Sequence, residues 1–154
     1  MTVVRRARVE DAGGIARVWA RAWQIAYRDL VPHAVLDAID IDERRERWTA
    51  RLEGGDRTFV VEEFGIAGYC RVVVPSEVAS LYVLPERRRG GLGGALLTAG
   101  LDELRSHSVH ATLWVFTANH PARAFYAKFG FTPDGAVRVD EGTGLEEIRL
   151  RAEL

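Results

Sequence analysis

Apolar positions change period twice along the chain. "DAGGIARVWARAWQIAY", from Asp11 to Tyr27, places Ile15, Val18, Trp19, Ala22 and Ala26 on one face at the helical period. It predicts a helix with Asp11 as candidate N-cap, although Gly13–Gly14 blur its start. The preceding "VVRRARV" alternates weakly and predicts a first strand. "VPHAVLDAI" predicts a short helix and "DIDERRERWTARLEGG" a longer one. In the second, Asp40 and Glu43 have capping-box spacing, Ile41, Trp48 and Leu52 share a face, and Gly54–Gly55 form the stop.

The middle of the chain reads at period two. "RTFVVEE" and "IAGYCRVVV" predict two strands around a turn at Phe64–Gly65. Pro75 and Ser76 break the chain, and "EVASLYVL" predicts a third strand, ended by Pro85. The helical period returns in "GLGGALLTAGLDELRSH", with Leu92, Leu96, Leu97, Leu101 and Leu104. "ATLWVFT" predicts a strand, and "PARAFYAKFG" a short helix from Pro121 to a stop at Gly130. "AVRVD" and "LEEIRLRA" predict a closing strand pair. The order is strand, helices, three strands, helix, strand, helix, two strands, a three-layer mixed α/β plan.

Composition narrows the class. A chain of 154 residues has the length of a single domain, residues 1–154, without repeat, linker or low-complexity tract. The net charge of −1 gives no global field toward nucleic acid or an anionic membrane, so neither is expected as a partner. Of the 21 basic residues only Lys128 is a lysine, so arginine clusters stand out less here than in most chains. Cys70 is the one cysteine and reads as a small buried residue in a strand. With no signal-like start and no long apolar run, a reduced, cytoplasmic setting is expected. His33, His107, His110 and His120 lack metal-ligand spacing, and no metal is expected.

"LPERRRGGLGGALLTAG" carries the chemistry. A strand, a glycine-rich turn and a helix start make an anion site, because the first helical amides have no internal partner. The macrodipole adds positive charge, the glycines let an anion approach the backbone, and the arginines add charged donors. The spacing is neither G-x-x-x-x-G-K-[ST] nor G-x-G-x-x-G. Arg88-x-x-Gly91-x-Gly93 resembles instead the acyl-CoA signature of the GNAT superfamily of N-acyltransferases, [Q/R]-x-x-G-x-[G/A]. A second stretch, "ANHPARAFYAKFGF", is similar to that family's N-x-x-A-x-x-F-Y-x-x-x-G-F element through Asn119, Ala122, Phe125, Tyr126 and Gly130–Phe131. One departure stands out: the family often reads "RGRG" where Arg89 and Gly90 are swapped here.

The resemblance spans the chain and implies a three-layer fold with a central, mostly antiparallel mixed sheet of about seven strands flanked by helices. It implies acetyl-CoA as acyl-donor co-substrate, with the pyrophosphate on Arg88, Arg89, Gly90, Gly91, Leu92, Gly93 and Gly94. Leu81, Tyr82, Val83, Ala122 and Phe125 are further implied cofactor-binding residues, with Asn119 on the pantetheine arm and Tyr126 near the thioester sulfur. The implied reaction is direct acetyl transfer to a primary amine in a ternary complex. An alkyl ammonium must lose a proton before it attacks, and Glu77, matching the family's strand-start Glu, is the candidate base. Tyr126 is the candidate acid for the leaving thiolate and the Val83 amide the candidate oxyanion donor. Cys70 has no histidine beside it and is poorly placed for an acyl-enzyme.

In that family the first helices cover the acceptor, so Trp23 and Tyr27 read as pocket wall or as core aromatics beside Trp19. Glu141, Glu146 and Glu147 read as attractors of a cationic amine or as solvated hairpin ends. A homodimer is compatible with the resemblance. A non-catalytic acyl-CoA sensor and a protein-interaction domain are the alternatives on the same fold. Asn119 and Tyr126 speak against the second.

Overall fold

The computed structural model describes residues 3–88 and 90–154. Among these, seven strands form one sheet in the order β1-β2-β3-β4-β5-β7-β6. The strands are β1 (Val4–Arg6), β2 (Arg57–Glu62), β3 (Ile66–Val73), β4 (Glu77–Val83), β5 (His110–Phe116), β6 (Thr132–Val139) and β7 (Glu146–Glu153). Every pairing is antiparallel except that of β4 with β5. The helices are α1 (Ala12–Ala26), α2 (His33–Asp37), α3 (Ile41–Glu53), α4 (Leu92–Arg105) and α5 (His120–Ala127).

Period-two patterning sorts the strand side chains into two layers. Cys70, Val72, Val78 and Leu113 pack with Leu96, Leu97 and Leu104 of α4 on one face. Val60, Tyr69 and Tyr82 pack with Ile15 and Val18 of α1 and Trp48 of α3 on the other. The α4 layer requires close approach: a Cβ on Gly100 would stand 2.9 Å from Cys70 Sγ, and one on Gly68 2.9 Å from Leu96 Cδ1. Burial pushes the Cys70 thiol up to about 12, away from the low values of reactive thiols.

Three expectations change. Asp11 stands at the α1 N-cap position, but its side chain makes no cap bond. It accepts from Arg5 Nη1 at 2.8 Å, Arg5 Nη2 at 2.9 Å and the Arg8 amide at 2.7 Å, tying β1 to the helix entry. Ile41 is exposed because it opens α3 beyond the sheet, whereas Trp48 and Leu52 are buried. β6 begins at Thr132 rather than Ala136, since an edge strand tolerates Pro133 and the register slips between Pro133 and Val137 around Gly135 at φ +96°.

The Arg5 contact holds the Asp11 carboxyl below its usual range. A depressed folded value stabilises above the unfolded pKa and is lost as pH falls through the folded one. Asp11→Ala is therefore expected to lower unfolding free energy by about 2–3 kcal/mol at pH 7, with the gap to wild type closing in strong acid. Urea titrations at both pH values check this.

Candidate functional site

β4 and β5 share a single register pair, Glu77↔Thr112, next to a bond from the Thr112 amide to the Ser76 carbonyl at 2.8 Å. Beyond it the strands part. The Leu84 amide donates to Ala67 of β3 at 2.8 Å. Amide directions alternate along a strand, so the Leu81 and Val83 amides turn toward the gap. Around the gap lies a cleft of about 870 Å³ that reaches both layers of the sheet.

On the α4 side, Gly91 caps α4 at φ +78°, ψ 5°, a left-handed conformation natural to glycine. Its carbonyl accepts from Ala95 at 3.1 Å, so the helical ladder starts there and the amides of the first turn have no helical acceptor. Nothing lies within 4 Å of a Cβ built on Gly91, leaving the approach open. Arg88, Gly91, Gly93 and Gly94 line the cleft, and Gly90 is exposed beside them. Leu92 lines it too, but its side chain is core, which leaves its amide for a ligand. Arg89 lies outside the described residues. Gly93 and Gly94 have a second reason to be small: a Cβ there would meet the Phe125 ring at 3.4 Å and the Phe129 ring at 3.3 Å.

α5 forms the opposite bank. Asn119 caps it, Oδ1 accepting from the Ala122 amide at 3.3 Å, so this side chain orders the helix start while it lines the cleft. Phe125 packs against Tyr126 at 5.3 Å between ring centres, and Tyr126 against Phe131 at 5.8 Å. Among the described residues the Tyr126 hydroxyl has no hydrogen-bond partner. Burial pushes its pKa well above the ordinary phenol value, so the group stays protonated and available as a donor.

On the α1–α3 side, Tyr82 departs from its expected place. Its side chain turns away from the glycine loop and accepts from Trp23 Nε1 at 3.2 Å and from the Tyr27 hydroxyl at 3.3 Å. Alternation accounts for this, since Leu81 and Val83 pack toward α4. Trp23 and Tyr27 are core and wall at once: they pack against Phe116 at 6.1 and 5.4 Å and line the cleft. Val78 belongs to the α4 layer, so Glu77 beside it faces the α1–α3 side, where it lines the cleft without an ion pair among the described residues.

Of the hairpin carboxylates, Glu147 lines the cleft, paired with Arg138 Nε at 2.9 Å. Glu141 sits exposed in the turn, and Glu146 accepts from Thr117 Oγ1 at 2.9 Å. Neither is among the residues around the cleft. Sequence reasoning passed over Arg44, Trp48, Arg51 and Tyr69 on this side; cation and aromatic at 44 and 48 of one helix was the signal available.

A mixed sheet split between a glycine-capped helix and an asparagine-capped one is an acyltransferase architecture. The sequence profile of the acetyltransferase (GNAT) family matches residues 16–131, and the chain belongs to that family. The uncharacterized N-acetyltransferase YuaI of Bacillus subtilis is 30% identical over 140 residues, covering 84% of this chain and 79% of that protein. A mycothiol acetyltransferase of Acidimicrobium ferrooxidans is 40% identical over 78 residues, which is 45% of this chain and 25% of that protein. A GCN5-related N-acetyltransferase structure from Rhodopseudomonas palustris superposes with a TM-score of 0.84 at 18% identity, covering 100% of this chain and 96% of that one. The yncA structure of Salmonella typhimurium, solved with its cofactor acetyl-CoA, gives 0.75 at 23% identity, covering 100% and 94%. Among the described residues no helix is long and apolar enough to cross a membrane.

Proposed function

We propose that the protein transfers an acetyl group from acetyl-CoA to a primary amine by direct attack in a ternary complex. The observation that carries the reading is the gap between β4 and β5: it frees the Leu81 and Val83 amides between the Gly91 loop and Tyr126 on one side and Glu77 on the other. The residues present fit the donor. First-turn amides of α4, with Arg88 at the rim, suit a pyrophosphate, and strand amides without a sheet partner suit the amide groups of a pantetheine arm. The yncA complex and a Thermoplasma acidophilum N-acetyltransferase solved with coenzyme A support the same ligand.

Glu77 takes a proton from the ammonium, directly or through water, which frees the nitrogen lone pair for the thioester carbonyl. The Val83 amide receives the negative charge that develops on the carbonyl oxygen. The nitrogen loses its second proton to water from the tetrahedral adduct, and as the carbon–sulfur bond breaks the Tyr126 hydroxyl donates to the departing thiolate, which takes its proton from solvent. Because burial raises the phenol's pKa, this contribution is hydrogen bonding to the thiolate more than complete proton transfer. Cys70, buried and with a raised pKa, takes no covalent part. A reduced, cytoplasmic compartment agrees with this single buried thiol.

Acetyl-CoA at about 100 times its Kd is expected to add about 2.7 kcal/mol to stability and to raise the melting temperature. Gly91→Val puts a β-branched residue at φ +78° and fills the open approach. Acetyl-CoA affinity is then expected to fall about tenfold or more, about 1.4 kcal/mol, by calorimetry on a variant with wild-type circular dichroism. No binding to wild type at millimolar ligand overturns the reading. Binding without thiol release across a broad amine panel leaves an acyl-CoA sensor.

A further inference from the structure

On the α1–α3 side of the cleft, α3 presents donors that have no acceptor partner among the described residues. Arg44 lies over the Trp19 ring at 3.7 Å and Arg51 over the Trp48 ring at 4.9 Å. Both line the cleft, and neither has a carboxylate partner among the described residues. The nearby acids are engaged elsewhere: Glu43 accepts from Arg47 at 3.2 Å and Asp56 from Arg71 Nε at 2.9 Å. Trp48 Nε1 is a third donor, buried and without a hydrogen-bond partner. Desolvation lowers the pKa of both guanidinium groups, and each arginine feels like charge, Arg44 from Arg47 and Arg51 from Arg71 and Arg44. Two half-buried cations on one cleft wall, each stacked on an indole and without a carboxylate partner among the described residues, are an unfavourable arrangement that an anion relieves.

The place of this group matters as much as its charge. Trp48 packs on Tyr69 at 5.0 Å, and Tyr69 on Tyr82 at 5.9 Å, so an aromatic wall runs from the arginines to β4 and its gap. The carboxylates of Glu77 and Glu147 line the same cleft. Of these two, Glu147 is paired with Arg138, and Glu77 has no ion pair among the described residues, so the α3 guanidinium groups and the Glu77 carboxylate are charges in this cleft left for an acceptor.

We propose that the acceptor is a small amine that also carries an anionic group, a carboxylate or a phosphate, held by Arg44 and Arg51 while its amine faces Glu77 and the β4–β5 gap. This rests on the transferase reading and names its substrate class. The aromatic faces of Trp19 and Trp48 hold the guanidinium planes in place and provide an apolar wall for the carbon skeleton between the two charges. Arginine, rather than lysine, suits the task, because its planar fork donates two parallel bonds to a carboxylate or phosphate.

The test uses acetyl-CoA with three matched probe sets: free amino acids, their carboxamides, and amines bearing a phosphate but no carboxylate, such as phosphoethanolamine and 3-aminopropyl phosphate. Thiol release is read together with calorimetric binding of each probe to the CoA-loaded protein. At least one anionic set is expected to bind and to exceed the carboxamides in kcat/KM by about ten- to hundredfold. Whichever anionic set is preferred identifies the group as carboxylate or phosphate. Arg44→Met and Arg51→Met keep the packing over the rings and remove the charge. Each is expected to raise KM for the anionic set about tenfold or more and for the carboxamides by clearly less, with CoA affinity near wild type. Carboxamides used as well as the acids, equal losses on both sets, or no anionic probe bound overturns the proposal. Failure of acetyl-CoA itself to bind overturns the transferase reading instead. Anionic probes bound without thiol release leave the anion site standing and remove the transfer step.

Discussion

Tyr126→Phe is expected to lower turnover about 10- to 10⁴-fold while acetyl-CoA affinity stays near wild type. The substitution removes one oxygen and leaves the ring against Phe125 and Phe131, so the packing of α5 on the sheet survives. Among the described residues the hydroxyl has no hydrogen-bond partner, so its removal strands no donor or acceptor elsewhere in the fold. The pH profile adds a sign. Burial moves the phenol's pKa upward, so Tyr126 remains protonated throughout the ordinary assay range. A fall in kcat on the alkaline side of pH 9 is therefore not expected from this residue. Steady-state kinetics of both proteins from pH 6 to about 10, near the ordinary phenol value, check both statements. Equal turnover by Tyr126→Phe and wild type would make the ring a packing residue and the hydroxyl incidental.

The chemistry that was legible in the sequence is local chemistry. Arg88 to Gly94 and Asn119 to Phe131 are short segments whose function depends on helix starts, and a helix start is written in consecutive residues: a glycine able to take positive φ, an asparagine able to cap. The succession of strands and helices along the chain followed from period changes for the same reason. The illegible part depends on residues brought together across the sheet. Arg44 and Arg51 stand in "DERRERWTARLE", a stretch so charged that it reads as a solvated face, and only the packing of α3 over β3 brings them to Tyr69 and the cleft. Tyr82 reads with its strand neighbours in the sequence, but a strand's residues share a backbone line and not a face, and the alternation sends its hydroxyl to Trp23 and Tyr27. The start of β6 is hidden in the sequence because Pro133 and Gly135 carry turn signals that an edge strand absorbs as a bulge.

The second large effect is expected at Glu77. Glu77→Gln keeps the size of the side chain at the start of β4 and removes its charge, with no ion partner among the described residues left behind. Folding and acetyl-CoA binding should therefore be retained. An alkyl ammonium with a pKa near about 10.4 is almost wholly protonated at neutral pH, so losing the base should lower kcat about 10²- to 10⁴-fold there. The deficit should shrink as pH rises, because a growing share of the acceptor arrives already neutral and needs no base. That slope separates two roles for one carboxylate. A base predicts a kcat loss that fades toward alkaline pH, whereas a group that only attracts the ammonium predicts a raised KM with kcat nearly intact. Measuring kcat and KM separately for wild type and Glu77→Gln from about pH 6 to 9, across the histidine-to-thiol range, distinguishes them. A kcat that matches wild type throughout removes Glu77 as the base and leaves Glu147 or Asp140, the hairpin-side carboxylates on the cleft, or a water held on the β4 backbone to take the proton.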